Sequence, residues 1–153
     1  MKNMENTAAF MEKYRLLLEQ GETLTLPVLG GSMAPFLVDR RDAVWLTAPA
    51  RPPRVGDIVL YQRKNGAYIL HRICKKQGGV YTLVGDAQTI VEPGIEENQI
   101  FAVAVRARRK GKTQKPGCFW WEFFARIWVR VIPLRPALLR AYSLLTKPFR
   151  RSL

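Results

Sequence analysis

The chain has 153 residues, 48% of them hydrophobic, and a formal net charge of +13. This length suits one compact domain, and the hydrophobic content excludes a disordered or collagen-like chain. The two cysteines, Cys74 and Cys118, could form one bridge, but their spacing indicates neither a disulfide framework nor a zinc site.

The positive charge is concentrated in the C-terminal third. Residues 106–153 contain 13 Lys and Arg residues and one acidic residue, Glu122, whereas residues 1–105 are almost neutral. A basic tail can contact an anionic membrane, nucleic acid or only solvent. The charged first 20 residues contain no apolar h-region, and no stretch approaches about 18 consecutive apolar residues, so we expect neither a secretory leader nor a membrane span.

Helical and extended patterns follow one another along the chain. Residues 4–20 carry apolar residues at helical spacing, and Leu24–Val28 predicts a short strand before Gly30-Gly31. Five further strands are predicted, separated by Gly, Pro and Asn: Ala43–Thr47, Asp57–Arg63, Ala67–Cys74, Val80–Val84 and Ile100–Arg108. Asn65-Gly66 predicts a two-residue hairpin between the second and third of these. The spacing predicts a mainly β fold, a folded-over sheet or partly open barrel.

The last third of the chain predicts two amphipathic helices. Arg106–Pro116 is expected to leave the β core. Cys118–Ile132 follows with six aromatic residues, and Ala137–Leu145 predicts a second short helix after Pro133 and Pro136. We therefore predict three parts: a helix over 1–22, a β domain over 23–109 and a helical tail over 110–153.

Three residues are candidates for acyl-transfer chemistry. Ser32 follows two glycines that would let a peptide carbonyl approach the backbone closely, and His71 is the only histidine. Asp86 follows a predicted strand and could orient an imidazole. Each also has a purely structural interpretation: a turn serine, a packed strand histidine and an Asx-turn aspartate.

The order of four motifs resembles the type I signal peptidases. These motifs are Gly31-Ser32-Met33-Ala34-Pro35, Val55-Gly56-Asp57-Ile58-Val59, Leu70-His71-Arg72-Ile73 and Gly85-Asp86. They cover about residues 25–106. The histidine before Arg72 is similar to the Ser/His, endoplasmic-reticulum-like subgroup, whereas most bacterial members and the self-cleaving repressors carry a lysine.

The resemblance implies a fold, a reaction and a set of site residues. The fold would be signal-peptidase/LexA-like, with Ser32 as nucleophile, His71 as general base and Asp86 supporting His71. The backbone N–H of Ser32, with a group from the Gly30-Gly31 turn, would form the oxyanion hole, and Gly30, Gly31, Met33 and Pro35 would bind the oxyanion or the substrate. The reaction would be acyl-enzyme hydrolysis of precursor peptides with small residues before the cut, without metal or organic cofactor.

Two features depart from the family pattern. A polar amphipathic helix stands where typical members have a transmembrane anchor, and Ala87-Gln88-Thr89 follows Gly85-Asp86 where further polar residues are usual. The first puts the side of the membrane in question. The second weakens the assignment of Asp86 more than that of Ser32 or His71.

The basic tail predicts a peripheral membrane contact. Glu122, Arg126 and Arg130 fall on one stripe of a helix, and tryptophans suited to the lipid–water boundary surround it. Lys147, Arg150 and Arg151 extend the basic content. An in-plane helix on the anionic cytoplasmic face fits this pattern better than a spanning one. The alternative is that these helices pack on the β domain or on a partner chain, and nucleic-acid binding is less favoured because no such motif is present.

We therefore expect a membrane-associated serine endopeptidase. A catalytically silent relative that binds peptides, and a basic membrane-binding module with a merely structural β domain, remain the alternative functions.

Overall fold

A computed structural model describes residues 2–146, with side chains described from residue 5 onward. The helices are α1 (Lys2–Glu19), α2 (Phe119–Arg126) and α3 (Arg135–Thr146), with single 3-10 turns at Glu97–Gln99, Trp128–Arg130 and Ile132–Leu134. The strands are β1 (Leu24–Pro27), β2 (Ala43–Thr47), β3 (Ile58–Gln62), β4 (Tyr68–Gln77), β5 (Val80–Val84), β6 (Glu92–Glu96), β7 (Ile100–Arg109) and β8 (Lys112–Gln114).

All eight strands belong to one antiparallel sheet in the order β1-β2-β7-β3-β4-β5-β6, and β8 pairs with β7. β1 and β6 are the ends of this path, so the sheet is open. The predicted class, mainly β with an N-terminal helix and C-terminal helices, is confirmed at this level.

Two strands were not expected from the sequence. β6 contains Pro93 and Gly94, which an edge strand tolerates because one side of its backbone needs no ladder partner. β8 is a polar three-residue strand that pairs with β7, so that Gln114 lies opposite Ala107 and Lys112 lies opposite Arg109. The expectation that Arg106–Pro116 leaves the core is therefore wrong, since most of this segment forms a hairpin.

The β3–β4 hairpin forms as predicted but with a loop one residue longer. Arg63 N–H donates to Ala67 O, and Gly66 N–H donates back to Arg63 O at 2.9 Å. Gly66 has φ of 90°, which is typical of a three-residue loop closed by a glycine in the left-handed region. This loop sets Val59 opposite His71 in the register.

Each face of the sheet carries its own apolar cluster. Ile58 and Leu60 of β3 join the larger cluster, whereas Val59 and Tyr61 join the smaller one. Every described member of the smaller cluster lies on a strand, so the strands enclose it by curling. The larger cluster is covered by helices and by the turn after β1.

Both ends of the described chain pack on the larger cluster. Met11, Tyr14 and Leu18 of α1 are buried there, and so are Trp121 and Phe124 of α2. Burying one such side chain stabilises a fold by about 2 kcal/mol. The N-terminal helix and the first part of the tail are thus built into the core of the β domain.

The tail does not form the single long helix expected over Cys118–Ile132. α2 ends at Arg126, and Glu122 and Arg126 form an i,i+4 ion pair at 2.7 Å. Arg130, predicted on the same stripe, lies in a separate 3-10 turn. Trp121 and Trp128, expected at a lipid boundary, are buried. Within residues 2–146 no helix is both long and apolar enough to span a bilayer. Lys147, Arg150 and Arg151 lie outside the described residues.

Candidate functional site

Ser32 lies in an irregular turn that follows β1. Met33, Phe36 and Leu37 are buried in the larger cluster and anchor the turn, while Ser32 is half-buried. Gly30, at φ of 80°, donates its N–H to Asp39 Oδ1 at 2.9 Å, and this bond fixes the entry to the turn. Gly30 can adopt this conformation because glycine has no steric penalty at positive φ.

The turn packs directly on the loop that follows β5. Ala87 N–H donates to Ser32 O at 2.9 Å. A Cβ added to Gly85 would lie 2.4 Å from Ser32 O and 3.0 Å from Ser32 Cβ. Real Cβ atoms do not approach so closely, so Ser32 occupies the space that a side chain at position 85 would need.

This contact places Ser32 beside the residue that follows β5, the strand that pairs with β4, on which His71 lies. β4 and β5 pair Arg72 with Val84 at the end of their register, and the same register continued by one residue would set Gly85 opposite His71. Residues directly opposite in an antiparallel pair share one face, with Cβ atoms about 4.5–5.5 Å apart. Ser32 Oγ forms no hydrogen bond with His71 in the described part of the chain, so the predicted direct bond stays a prediction.

His71 is 5% exposed and touches a tyrosine that the sequence did not identify. Tyr61 Oη lies 3.3 Å from His71 Nδ1 and donates its own proton to Glu92 Oε2. Arg63 binds both Glu92 oxygens, at 2.8 and 2.9 Å. Glu92, rather than Asp86, is therefore the carboxylate linked to the imidazole, and it acts through Tyr61.

The network assigns the tautomer of His71. Because Tyr61 uses its proton on Glu92, its oxygen is left to accept from His71 Nδ1–H, which leaves Nε2 unprotonated. Burial lowers the pKa of His71 to about 4, although Glu92 opposes this shift. The imidazole is thus neutral at pH 7, with a free Nε2 lone pair.

Glu92 stays charged and Tyr61 stays protonated. Burial acts to raise the pKa of Glu92, but hydrogen bonds from Arg63 and Tyr61 outweigh it and hold the pKa below its usual value. Burial, with the neighbouring Glu92 charge, raises the pKa of Tyr61. The sequence indicated this network only weakly. The network depends on the register of the β3–β4 hairpin and on β6, a strand that was not predicted.

Asp86 takes another role from the one expected. Its two oxygens accept from Arg72 Nε and Nη2, both at 2.8 Å, and both side chains are buried. Arg72 also donates to Gly56 O at 2.8 Å. Consecutive strand residues point to opposite faces, so the partner of Arg72 lies across the sheet from His71. Within residues 2–146 Asp86 forms no hydrogen bond with His71.

Backbone donors are available beside Ser32. The N–H groups of Gly31, Ser32 and Met33 have no hydrogen-bond acceptor within residues 2–146, whereas the N–H of Gly30 is occupied by Asp39. The N–H groups of Gly31, Ser32 and Met33 could therefore bind an oxyanion, whereas the N–H of Gly30 could not. The Met33 side chain is in the core, and Pro35 is half-buried beside it, so neither side chain opens onto a cleft.

A cleft of about 650 Å³ opens next to His71. Its walls come from the ends of β4 and β5, from β6 and from the segment between them: Arg63, His71, Leu83, Ala87, Gln88, Thr89, Ile90, Val91, Glu92 and Pro93. Ala87, which binds Ser32 through its N–H, is part of this wall. The lining is largely apolar, with the charged groups concentrated at Arg63 and Glu92.

No protein-family model matches the chain, and comparisons with curated proteins and with solved structures find no match.

Proposed function

We propose that this protein is a serine endopeptidase resembling the type I signal peptidases of the Ser/His kind, with a signal-peptidase/LexA-like β domain. One observation supports the proposal: Ser32 fills the space over Gly85, a residue that the β4–β5 register, continued by one residue, would set opposite His71. Ser32 and His71, 39 positions apart in sequence and both singled out by their motifs, thus lie on neighbouring segments of the fold, which supports a Ser/His pair.

The chemistry follows from the tautomer of His71. Ser32 Oγ attacks the scissile carbonyl carbon while His71 Nε2 takes its proton. The tetrahedral oxyanion accepts hydrogen bonds from the unpaired N–H groups of Gly31 and Ser32. The imidazolium then protonates the leaving amine, an ester remains on Ser32, and water deprotonated by His71 hydrolyses it.

Tyr61 and Glu92 take the place that Asp86 was expected to fill. Imidazolium formed during the attack donates Nδ1–H to Tyr61, whose proton is held by the Glu92 carboxylate. The negative charge of Glu92 favours the charged imidazole and partly offsets the cost of burial. The resulting arrangement is a Ser/His dyad supported by a hydrogen-bonded tyrosine–carboxylate pair.

The substrate class rests on the family resemblance together with the cleft. Small residues before the cut are the family expectation, and Ala87, Ile90 and Val91 supply apolar surface for them beside His71. The runner-up function, a silent relative that holds peptides without cleaving them, would use the same cleft.

Acylation by a fluorophosphonate probe separates these two functions. We expect wild-type protein to be labelled at Ser32, found by peptide mass spectrometry, and Ser32→Ala and His71→Ala to lose labelling. Ser143→Ala, which removes an exposed serine on α3, is the matched control and should label normally. A folded wild-type protein that is never labelled would favour the silent relative.

We also propose that α3 attaches the protein to an anionic membrane surface. Leu138, Tyr142 and Leu145 lie along one side of this helix and are exposed, the last by 86%. The strongly basic C-terminal third supplies charge complementary to anionic lipid, and each Lys or Arg near such a surface contributes about 1 kcal/mol. This favours the cytoplasmic face, which is the opposite side to ordinary signal-peptide removal.

Vesicle flotation tests this contact without disturbing the core. Truncation after Lys112 would remove the buried Trp121 and Phe124, so a double substitution Leu138→Ser/Leu145→Ser is the sharper change. We expect wild type to float with phosphatidylserine-containing vesicles and to be released by high salt, and the double variant to bind weakly. Val80→Ser, at an apolar position on β5 that is as exposed as Leu138, is the control. Equal flotation of all three proteins would remove α3 as the attachment site.

A further inference from the structure

The segment after α2 contacts the Gly85–Gln88 loop, on which the Ser32 turn packs. Trp128 Nε1–H donates to Asp86 O at 2.8 Å, and the indole is buried against Phe124. This bond crosses 42 positions of sequence. A residue of the C-terminal segment is therefore fixed to the backbone of the loop between β5 and β6.

Arg135 makes a second, stronger set of bonds to the same loop. Its side chain is fully buried, and Nη1 donates to Gly85 O and Gln88 O, both at 2.9 Å. Nη2 donates to Trp128 O at 3.0 Å, and the guanidinium stacks over the Trp128 ring. Hydrogen bonds from a charged donor are roughly twice as strong as neutral ones, and this donor spans both ends of the loop.

The loop transmits these contacts to Ser32. Of its four residues, Gly85 packs against Ser32 and Ala87 donates its N–H to Ser32 O. Asp86, Gly85 and Gln88 offer the carbonyls that Trp128 and Arg135 bind. The loop therefore contacts Ser32 at Gly85 and Ala87, and it is bound by the C-terminal segment at Gly85, Asp86 and Gln88.

We infer that Trp128 and Arg135 are positioning residues, which hold the Gly85–Gln88 loop so that Ser32 stays beside His71. The basic tail is then part of the site as well as a surface element. This inference rests on the proposed function for its catalytic meaning, but the positioning itself can be measured independently of catalysis.

Two measurements on the full-length chain test the inference. The first is the rate constant for fluorophosphonate acylation of Ser32, and the second is hydrogen exchange at the Ala87 amide by NMR. Trp128→Phe keeps an aromatic ring but removes the donor to Asp86 O. We expect it to slow acylation and to speed Ala87 exchange, each by about tenfold, the scale of one lost buried hydrogen bond.

Trp121→Phe is the matched control, because Trp121 is also a buried tryptophan of the C-terminal segment but makes no hydrogen bond to the loop within the described residues. It should reduce thermal stability comparably and leave both rates near wild type. Arg135→Lys is the second variant, since it keeps the charge but cannot donate to Gly85 O, Gln88 O and Trp128 O at the same time. It should likewise slow acylation and speed Ala87 exchange, and it provides the test if Trp128→Phe fails to fold.

The outcomes distinguish the inference from the proposed function. Ala87 exchange that is unchanged in Trp128→Phe and Arg135→Lys, or raised equally in Trp121→Phe, overturns the positioning role. A wild-type protein that is never acylated overturns the proposed function instead, while selective exchange at Ala87 would still establish that the C-terminal segment holds the loop.

Discussion

Strand β4 presents two neighbouring ionisable residues to opposite faces of the sheet, and each face holds its residue differently. His71 is neutral, borders an open cleft, and is linked through Tyr61 to a half-exposed Arg63–Glu92 pair. Arg72 is charged and closed off, with a bidentate bond to the fully buried Asp86. The comparison shows how one strand can hold both a neutral imidazole beside a cleft and a buried ion pair.

Removing the anchor should give the largest effect. Arg72→Met leaves the Asp86 carboxylate buried without its partner, and breaking such a pair costs about 3–5 kcal/mol. Arg63→Met breaks the corresponding pair on the His71 face, where solvent screening limits the loss to about 0–1 kcal/mol. Urea denaturation of both variants checks the contrast, and equal losses would mean that the two faces do not differ in this way.

The buried neutral His71 predicts a stability that depends on pH. Its pKa is about 4 in the folded protein and 6.5 in the unfolded chain, so only the unfolded chain takes up a proton between these values. Stability should be full above pH 6.5 and fall by about 2 kcal/mol between pH 7 and pH 5.

Denaturation of His71→Gln provides the control for this effect, because the chain has no other histidine. The variant should lose the slope between pH 7 and pH 5. A slope of the same size in the variant would have to come from other groups and would contradict the low pKa of His71.

Adding one methyl group should disturb the contact between Ser32 and the loop after β5. In Gly85→Ala the new Cβ would collide with Ser32 O, and overpacking of this kind costs about 1–3 kcal/mol. We expect acylation of Ser32 to fall more than stability alone explains. Gly79→Ala, where a Cβ meets nothing within 4 Å, should be neutral in both respects. Normal acylation of Gly85→Ala would show that Ser32 is not held by this contact.

The smallest expected effect concerns the hydroxyl that links His71 to Glu92. Tyr61→Phe should slow acylation by about tenfold with a stability loss of about 1 kcal/mol, the value of one buried hydrogen bond. Tyr81 lies in the same cluster, but its hydroxyl has no partner among residues 2–146, so Tyr81→Phe should be neutral or slightly stabilising. Identical acylation rates for these two variants would remove Tyr61 from the mechanism.

Most of the strands could be predicted because their signals are local. The β2 and β5 bounds agree with the expectation, and the β3–β4 hairpin formed where Asn65-Gly66 indicated a turn. β6 could not be predicted, because its pairing with β5 overrides a sequence with Pro93 and Gly94. The tail helices were located approximately, but which of their aromatic residues are buried depends on the surface that they meet.

The carboxylate of the site was missed for a reason of register. A two-residue loop at Asn65-Gly66 would set Tyr61 opposite Leu70, on the other face from His71. The actual three-residue loop sets Tyr61 opposite Ile69 and thereby places its side chain on the face of His71. A shift of one residue moves every side chain of a strand to the other face, so the sequence signal for the hairpin did not determine the site.

By itself, the sequence determined the β class, the hairpin, and Ser32 and His71 as the pair to examine, because hydrophobic alternation, turn residues and short motifs are properties of adjacent positions. Only the tertiary structure decided that Glu92 reaches His71 through Tyr61, that Asp86 belongs to Arg72, and that Arg135 holds the loop beside Ser32. Those partners are 14 to 50 positions apart. Their pairing depends on strand register and on which face each element covers, and neither is encoded within a single local segment.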